Sequence, residues 1–302
     1  MAEAGLKHRT RKAFAACLLA ASIPDIDVLF GWVPWAPLAM HRGFTHGLVG
    51  GVLVLPPLLA GLLWLFDRRQ KRLGLIAPGA LPMHFGWLLA LSFLAALTHP
   101  LLDLQNVYAV QLLSPFSDRW LHTDGLFIVS PWLLAILGSG IWSARRKSTA
   151  KPAIGGLMAS AVFIALNIGI SVLASRAPRT DASYANPDRV FASPEPLAFW
   201  RRDVIWRQGG TITFGRYDPL QRLNGLTTFG KPIPDNMADP VVVAATGTTP
   251  EVRKFLDWSQ MPMARVESDG RCRKVTFGDA RFTGPALSRN FTVAVTRCKV
   301  RF

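Results

Sequence analysis

Histidine and aspartate residues cluster at the ends of the long apolar runs in this 302-residue chain. They are Asp25, Asp27, His41, His46, His99, Asp103, His122 and Asp124. Neutral imidazole and carboxylate bind first-row divalent metals, so zinc is the first expectation, with manganese or iron as alternatives. His99 and Asp103 stand four residues apart in THPLLD, so a helix there presents both on one face. The pattern predicts a metal site built from several segments.

Carboxylates at the edge of a bilayer are costly unless they are paired or face water. A divalent metal would compensate several of them together and draw its ligands to one place. Other interpretations of single residues stay open. A histidine at a membrane surface can be an ordinary hydrogen-bonded side chain, and Asp124 can be a charge favoured at a helix N-terminus. All eight residues fall near one predicted membrane face, which favours a shared site.

The composition indicates a mixed chain, part membrane and part soluble. Half of the residues are hydrophobic, the mean hydropathy is +0.25 and the formal net charge is +15. The sequence lacks the interleaving of aromatic and basic residues that stacks nucleic-acid bases, so we expect no nucleic-acid partner. Membrane lipid is the expected partner, together with a membrane-proximal substrate.

Apolar runs of about 20 residues predict membrane-spanning helices. The runs lie at about 13–33, 44–66, 84–104, 124–144 and 153–174, and the first is expected to break at Pro24. The predicted fold is therefore an α-helical polytopic membrane domain with about five spans, residues 1–177. A soluble β-rich domain, residues 178–302, is expected to follow it.

Basic residues of the membrane domain form three short clusters. They are Lys7, Arg9, Arg11 and Lys12; Arg68, Arg69, Lys71 and Arg72; and Arg145, Arg146, Lys147 and Lys151. Cytoplasmic loops carry an excess of such residues. Five spans place all three clusters on one side, which predicts a cytoplasmic N-terminus and an external tail. Cys272 and Cys298 would then be able to form a disulfide.

Alternating apolar and polar residues predict strands in the tail. The candidate strands are VVVAAT at 241–246, RKVTFGD at 273–279 and NFTVAVTRC at 290–298. Cys17 lies in an apolar run and is expected to be a small core residue.

The sequence carries none of the GxSxG, HExxH, Walker or GxGxxG motifs. An enzyme with these residues would therefore use water activated by the metal. In that scheme Asp25, His41, His46, His99, Asp103 and His122 are metal ligands, and Asp27, Arg42 and Asp124 are catalytic. A carboxylate would accept the proton, and Arg42 would bind an anionic group or stabilise an oxyanion. The alternative is a non-enzymatic protein, an ion or proton pathway or a membrane assembly protein, that uses the same cluster.

Three segments carry a family resemblance: SIPDIDVLFG, HRGFTHGLVG, and LTHPLLD with the loop that follows it. They resemble the LexA-binding, inner-membrane-associated, metal-dependent hydrolase family, and FLDWSQMP and VTFGDARF resemble its soluble tail. The resemblance implies a bacterial inner-membrane protein with a periplasmic tail, and metal or catalytic roles for the eight residues above. Gly47 stands where that family often has serine. Its members usually start with a D-x-x-T-H-x-x-x-G segment, which is absent here before the basic stretch of MAEAGLKHRT, so a candidate ligand histidine is expected to be missing through truncation or a misassigned start.

Overall fold

The structure is a computed structural model that describes residues 1–30, 42–180, 186–221, 225–268, 270–283 and 291–298. Contacts divide the chain into two compact units. Of the described residues, unit 1 contains 1–30, 42–123 and 128–166, and unit 2 contains 124–127 and everything from 167 onward. This division falls inside a helix, and the predicted domain boundary after residue 177 stays a prediction.

Within the described residues, five α-helices precede the strands. They are α1 Ala13–Ser22, α2 Leu55–Arg72, α3 Phe85–Asp103, α4 Pro131–Arg146 and α5 Lys151–Thr180. Short 3₁₀ turns cover Ala2–Ala4, Leu6–His8, Ile23–Phe30 and Phe44–His46. A π-helix, Leu48–Val54, leads directly into α2.

Three helical segments of the described residues are long and apolar enough to cross a membrane: Leu48–Arg72, Phe85–Asp103 and Lys151–Thr180. The other two predicted spans are shorter as helices. α1 ends at Ser22, and a 3₁₀ turn with Pro24 near its beginning follows directly. α4 begins at Pro131, not at 124, since Ser130 caps it by accepting a hydrogen bond from the Leu133 amide. The five-span count stays a prediction.

Small residues let the helices of unit 1 approach one another closely, as is common between membrane helices. One core is formed by Ala13, Ala16, Cys17 and Ala20 of α1 with Leu59 and Ala60 of α2 and Leu88, Leu91, Ala95 and Ala96 of α3. Cys17 is buried there, as predicted. A Cβ on Gly140 of α4 would lie 3.2 Å from the Cα of Gly156 in α5, so glycine allows a close crossing here too.

The three basic clusters meet at one end of unit 1. Arg11 donates two hydrogen bonds to Asp67 near the end of α2, at 2.6 and 2.7 Å. Glu3 accepts hydrogen bonds from Lys7 at 2.5 Å and from Arg145 near the end of α4 at 2.9 Å. The same end holds the start of α3, where the His84 amide donates to the Thr10 hydroxyl. The C-terminal turn of α3, with His99 and Asp103, is therefore about 20 Å away along the helix.

Two glycines of the π-helix allow the preceding 3₁₀ turn to fold against it. A Cβ on Gly50 would lie 2.1 Å from the Phe44 carbonyl oxygen, and one on Gly51 would lie 2.3 Å from the Thr45 carbonyl oxygen. No side chain fits into either gap. The turn Phe44–His46 is thereby held directly against the beginning of the apolar helix, with His46 fully buried.

Unit 2 contains two antiparallel sheets. The strands β1 Arg189–Pro194, β2 Arg202–Gln208, β3 Thr211–Tyr217 and β4 Leu226–Pro234 form the first sheet in sequence order. The strands β5 Pro262–Ser268, β6 Cys272–Asp279 and β7 Thr292–Cys298 form the second. Three short helices lie between these strands: α6 Pro240–Thr246, α7 Pro250–Trp258 and α8 Ala280–Thr283.

The β-rich character of the tail is confirmed, with one error. Segment 273–279 lies on β6 and the described part of the second segment contains β7, but 241–246 is helical. The Asp239 side chain accepts a hydrogen bond from the Val241 amide and Pro240 occupies the first turn, so an N-cap overrides the strand preference of three valines. Cys272 and Cys298 stand opposite each other on β6 and β7 and form a disulfide.

We predict that Gly51→Ala lowers the stability of unit 1 and that Gly61→Ala does not. The methyl group at position 51 collides with a backbone carbonyl, and overpacking of this kind costs about 1–3 kcal/mol. Gly61 of α2 has nothing within 4 Å of an added Cβ, so alanine there gains up to about 1 kcal/mol of helix propensity. Thermal unfolding midpoints of the two variants in one detergent should move in opposite directions. Equal shifts of the two unfolding midpoints would contradict the close packing of the Phe44–His46 turn against the π-helix.

Candidate functional site

Four of the predicted site residues meet at the C-terminal end of α3 in unit 1. The Asp25 Oδ1 atom lies 3.3 Å from His46 Nε2 and 3.4 Å from His99 Nε2. The Asp103 Oδ2 atom lies 3.6 Å from His46 Nε2 and 3.5 Å from His99 Nε2. The two rings are 5.0 Å apart between centroids, in an edge-to-face arrangement. Asp25, His46, His99 and Asp103, the acid–imidazole cluster, thus present two nitrogens and two carboxylate oxygens to one another.

Each member comes from a segment with an identifiable reason for its shape. Asp25 lies on the 3₁₀ turn that follows Pro24, and His46 ends the turn held by the π-helix glycines. His99 and Asp103 lie one turn apart on α3, which confirms that they share a helix face. Sequence-distant segments are therefore brought to one end of the helical core.

His99 is fixed in one tautomer when it is neutral. Its Nδ1 atom lies 2.6 Å from the Ala21 carbonyl oxygen, which can only accept a hydrogen bond, so Nδ1 carries the proton. The Nε2 atom then presents a lone pair to the Asp25 and Asp103 carboxylates. A backbone acceptor behind a histidine is the usual way in which proteins orient an imidazole for metal binding.

His46 has an equivalent arrangement built from side chains. The Thr45 hydroxyl donates to Asp27 Oδ2 at 2.6 Å, and His46 Nδ1 lies 3.2 Å from that hydroxyl and 3.4 Å from Asp27 Oδ2. Asp27 and Thr45 therefore contact the Nδ1 side of the ring, which is its rear, and Asp25 and Asp103 lie on its Nε2 side. In the tautomer with the proton on Nδ1, the Nε2 lone pair would be available to a metal.

Arg42 is buried beside Asp103 and does not face solvent. Its Nη2 atom lies 3.3 Å from Asp103 Oδ1, and its Nη1 atom donates to the Asn106 side-chain oxygen at 2.6 Å. The guanidinium lies 5.4 Å from the centre of the Tyr108 ring. The backbone of Arg42 adopts a positive φ of 76°, a strained conformation that is enriched at functional sites. These contacts hold Asp103 in place from one side.

One carboxylate oxygen of the cluster has no hydrogen-bond donor. Arg42 lies beside Asp103 Oδ1, and Asp25 and Asp27 lie against the His46 ring. Among the described residues, the buried Asp103 Oδ2 atom accepts no well-formed hydrogen bond. A buried carboxylate oxygen without a donor is costly. A divalent cation between the four atoms would compensate it.

The donor set fits a divalent first-row metal. Asp25, His46 and His99 each offer one ligand atom, and these atoms lie within 4.8 Å of one another. Two imidazoles with carboxylates are a ligand set of zinc sites, and the same set suits manganese or iron. Asp103 Oδ2 is the fourth atom of matching chemistry.

Three predicted site residues are not part of this cluster in the described structure. His41 lies outside the described residues. His122 is half-buried in unit 1, and its neighbour Thr123 donates from its backbone to the Leu104 carbonyl just after α3. The three-residue ligand group found among the described residues does not include His122.

Asp124 belongs to unit 2, where its charge acts on the buried Arg202. Burial lowers the pKa of that arginine to about 10, and Asp124 opposes the shift. The backbone carbonyl of Asp124 accepts a hydrogen bond from Ser171 Oγ at 2.6 Å. A catalytic role for Asp124 stays a prediction.

Thr45 and Asn106 are part of the surroundings of the cluster and were not predicted. Thr45 links Asp27 to His46, and Asn106 accepts from Arg42 and donates to Asp103 Oδ1 at 3.4 Å. Both lie within three residues of a predicted ligand. The signal in the sequence is a polar side chain next to a predicted ligand, because residues that hydrogen-bond to ligands often lie close to them.

Comparison with known proteins gives a family and one relative. The model of the YdjM inner membrane protein family matches residues 1–177. The uncharacterized protein YfhP of Bacillus subtilis (strain 168) is 33% identical over 135 residues, which are 43% of this chain. The matched region spans 36% of the length of YfhP. No solved structure matches significantly.

The family match contains every member of the acid–imidazole cluster and all five helices up to residue 177. It confirms the inner-membrane part of the resemblance drawn from the motifs, whereas LexA binding and metal-dependent hydrolysis stay predictions. The apolar helices independently support a location in the membrane. Because the match covers more than half of its length, the chain belongs to the YdjM inner membrane protein family.

Proposed function

We propose that this protein is a membrane-bound, metal-dependent hydrolase that acts on a phosphoester or lipid ester close to the membrane surface. The observation that carries the proposal is the convergence of two imidazole Nε2 atoms on two carboxylate oxygens at 3.3–3.6 Å. Imidazole nitrogens and carboxylate oxygens are the atom types that bind a first-row divalent metal. A divalent cation satisfies all four atoms together.

The residues around the cluster divide into ligands and supports. Asp25, His46, His99 and Asp103 would hold the ion. Asp27, predicted to be catalytic, contacts the Nδ1 side of His46, and this contact favours an orienting role. Arg42 and Asn106 occupy Asp103 Oδ1 and leave Oδ2 for the ion. When bound, a divalent cation supplies Lewis acidity, which polarises a substrate oxygen and acidifies water.

Access to the cluster is from the side of Asp25. The Asp25 side chain is 49% exposed, whereas that of His46 is fully buried and that of Asp103 is 14% exposed. A substrate would therefore approach over Asp25, at the end of an apolar helix core. That position suits a headgroup at the membrane surface better than a deeply embedded chain.

We also propose that the cluster lies on the outer face of the bacterial inner membrane, with five spans and a periplasmic tail. The basic clusters meet at the opposite end of unit 1, which the positive-inside rule assigns to the cytoplasm. The Cys272–Cys298 disulfide supports an oxidising compartment for unit 2.

We predict that the purified protein binds zinc, manganese or iron stoichiometrically and that His46→Ala and Asp103→Ala abolish this. Asp27→Asn should weaken metal binding by about 10–100-fold, because it removes the carboxylate that orients His46. Elemental analysis after dialysis measures the metal. Hydrolysis of a phosphomonoester and of a short-chain ester, assayed in detergent, should be lost in the same variants.

His84→Ala is the matched control, because His84 is exposed at the opposite end of α3. It should retain metal and activity. Metal-free wild-type protein, or metal that is unchanged in the His46 and Asp103 variants, would refute the site. Bound metal without hydrolysis of either ester class would refute the hydrolase and leave the metal site standing.

We predict that alkaline phosphatase fused to the C-terminus of the full chain is active, because this reporter folds only outside the cytoplasm. The same reporter inserted after Ser148, between α4 and α5 and beside the basic cluster, should be inactive. The reverse pattern would overturn the orientation.

A further inference from the structure

The first sheet of unit 2 packs along the second half of α5, and one buried arginine fixes its position there. Arg202, at the beginning of β2, is completely buried. It donates to the side-chain oxygen of Ser171 at 2.7 Å and to the backbone and side-chain oxygens of Asn167 at 2.8 and 3.1 Å. The start of β2 therefore lies level with residues 167–171 of the helix.

The strand then continues toward the C-terminal end of the helix. Ala174 of α5 shares a buried cluster with Ala192, Val204 and Trp206. Along β2 the order is thus Arg202 beside Asn167 and Ser171, then Val204 beside Ala174. The loop 195–201, which precedes β2, consequently lies beside Asn167 of α5 or closer to the middle of that helix. The hydrogen bond from Arg202 to the Phe199 carbonyl at 2.6 Å confirms this level for that loop.

This level lies inside a candidate membrane span. Residues 152–175 contain no charged side chain, and Asn167 is about 24 Å along the helix from Lys151. The hydrocarbon region of a bilayer is about 30 Å thick. A helix that begins at the opposite surface near Lys151 therefore still has Asn167 within or just at the edge of the hydrocarbon.

Two loops at this end of the sheet expose apolar side chains. Leu197, between β1 and β2, is 68% exposed, and Leu220, between β3 and β4, is 77% exposed. Each leucine follows a proline, and the first loop has the uninterrupted apolar sequence PLAFW at 196–200. Arg201 joins the two loops by an ion pair with Asp218 at 2.8 Å.

Among the described residues, charged side chains near these loops form ion pairs. Arg216 contacts Glu195 at 2.7 Å and Asp203 at 3.3 Å, and Arg201 contacts Asp218. Pairing lowers the cost of bringing charged groups close to lipid. Exposed leucines beside paired charges are suited to the bilayer interface, where an apolar tip enters the acyl region.

We infer that the loops 195–201 and 218–221 are immersed in the membrane leaflet on the side of unit 2, with Leu197 and Leu220 in contact with lipid. Unit 2 is thus held down on the bilayer surface by its own sheet, and does not stand clear of it on the end of α5. The inference depends on α5 crossing the membrane and is independent of the hydrolase proposal.

The test uses the full chain with Cys17→Ala and with the Cys272–Cys298 disulfide left oxidised. Leu197→Cys and Leu220→Cys are labelled separately with a nitroxide and reconstituted into vesicles of phosphatidylethanolamine and phosphatidylglycerol. Val243→Cys is the control, because Val243 is 54% exposed on α6, which follows the opposite end of the sheet. Spin-relaxation measurements compare accessibility to oxygen, which enters lipid, with accessibility to a water-soluble nickel chelate.

Labels at 197 and 220 should be accessible to oxygen and protected from nickel, whereas the label at 243 should be accessible to nickel. Nickel accessibility at 197 and 220 equal to that at 243 would overturn the inference. Protection of both loops from oxygen as well as nickel would also overturn it, since a protein surface would then cover them.

Discussion

Carboxylates gathered at the end of an apolar helix core are the constraint on which the arrangement of unit 1 depends. Asp25, Asp27 and Asp103 lie there against the His46 ring, and Arg42 lies beside Asp103. Carboxylates in apolar surroundings are costly, and apolar side chains would often be more stable there. Their presence is explained by the proposal that the region binds a cation.

The rest of unit 1 serves to hold the donor atoms rigidly. The Ala21 carbonyl orients His99, and Thr45 with Asp27 orients His46. The π-helix glycines hold the His46 turn against the beginning of a long apolar helix, an irregularity that often marks functional sites. Small residues in α1 and α3 bring Ala21 within hydrogen-bonding distance of His99. These contacts hold the two rings in place from the sides that do not face Asp103.

The cluster could be predicted from the sequence for two reasons. Polar residues inside apolar runs are conspicuous, and the basic clusters assign each end of a predicted span to one side of the membrane, which places the His and Asp residues on the same side. It could not predict which of eight residues meet, since that depends on where helices begin and end. Pro131 and Ser130 start α4 seven residues after Asp124, and the contacts assign Asp124 to unit 2. Thr45 and Asn106 were missed because short polar residues are common in loops. The helix at 240–246 was missed because strand propensity yields to a well-placed cap.

The most direct test of the central claim is zinc K-edge X-ray absorption on the zinc-loaded protein. The account predicts nitrogen and oxygen ligands only, with the multiple-scattering signature of two imidazoles and distances of about 2.0–2.2 Å. His99→Ala should lose the bound zinc and with it the imidazole signature, as the His46 and Asp103 variants should. A spectrum with sulfur ligation, or one without imidazole scattering, would contradict the claim that Asp25, His46, His99 and Asp103 form a metal site.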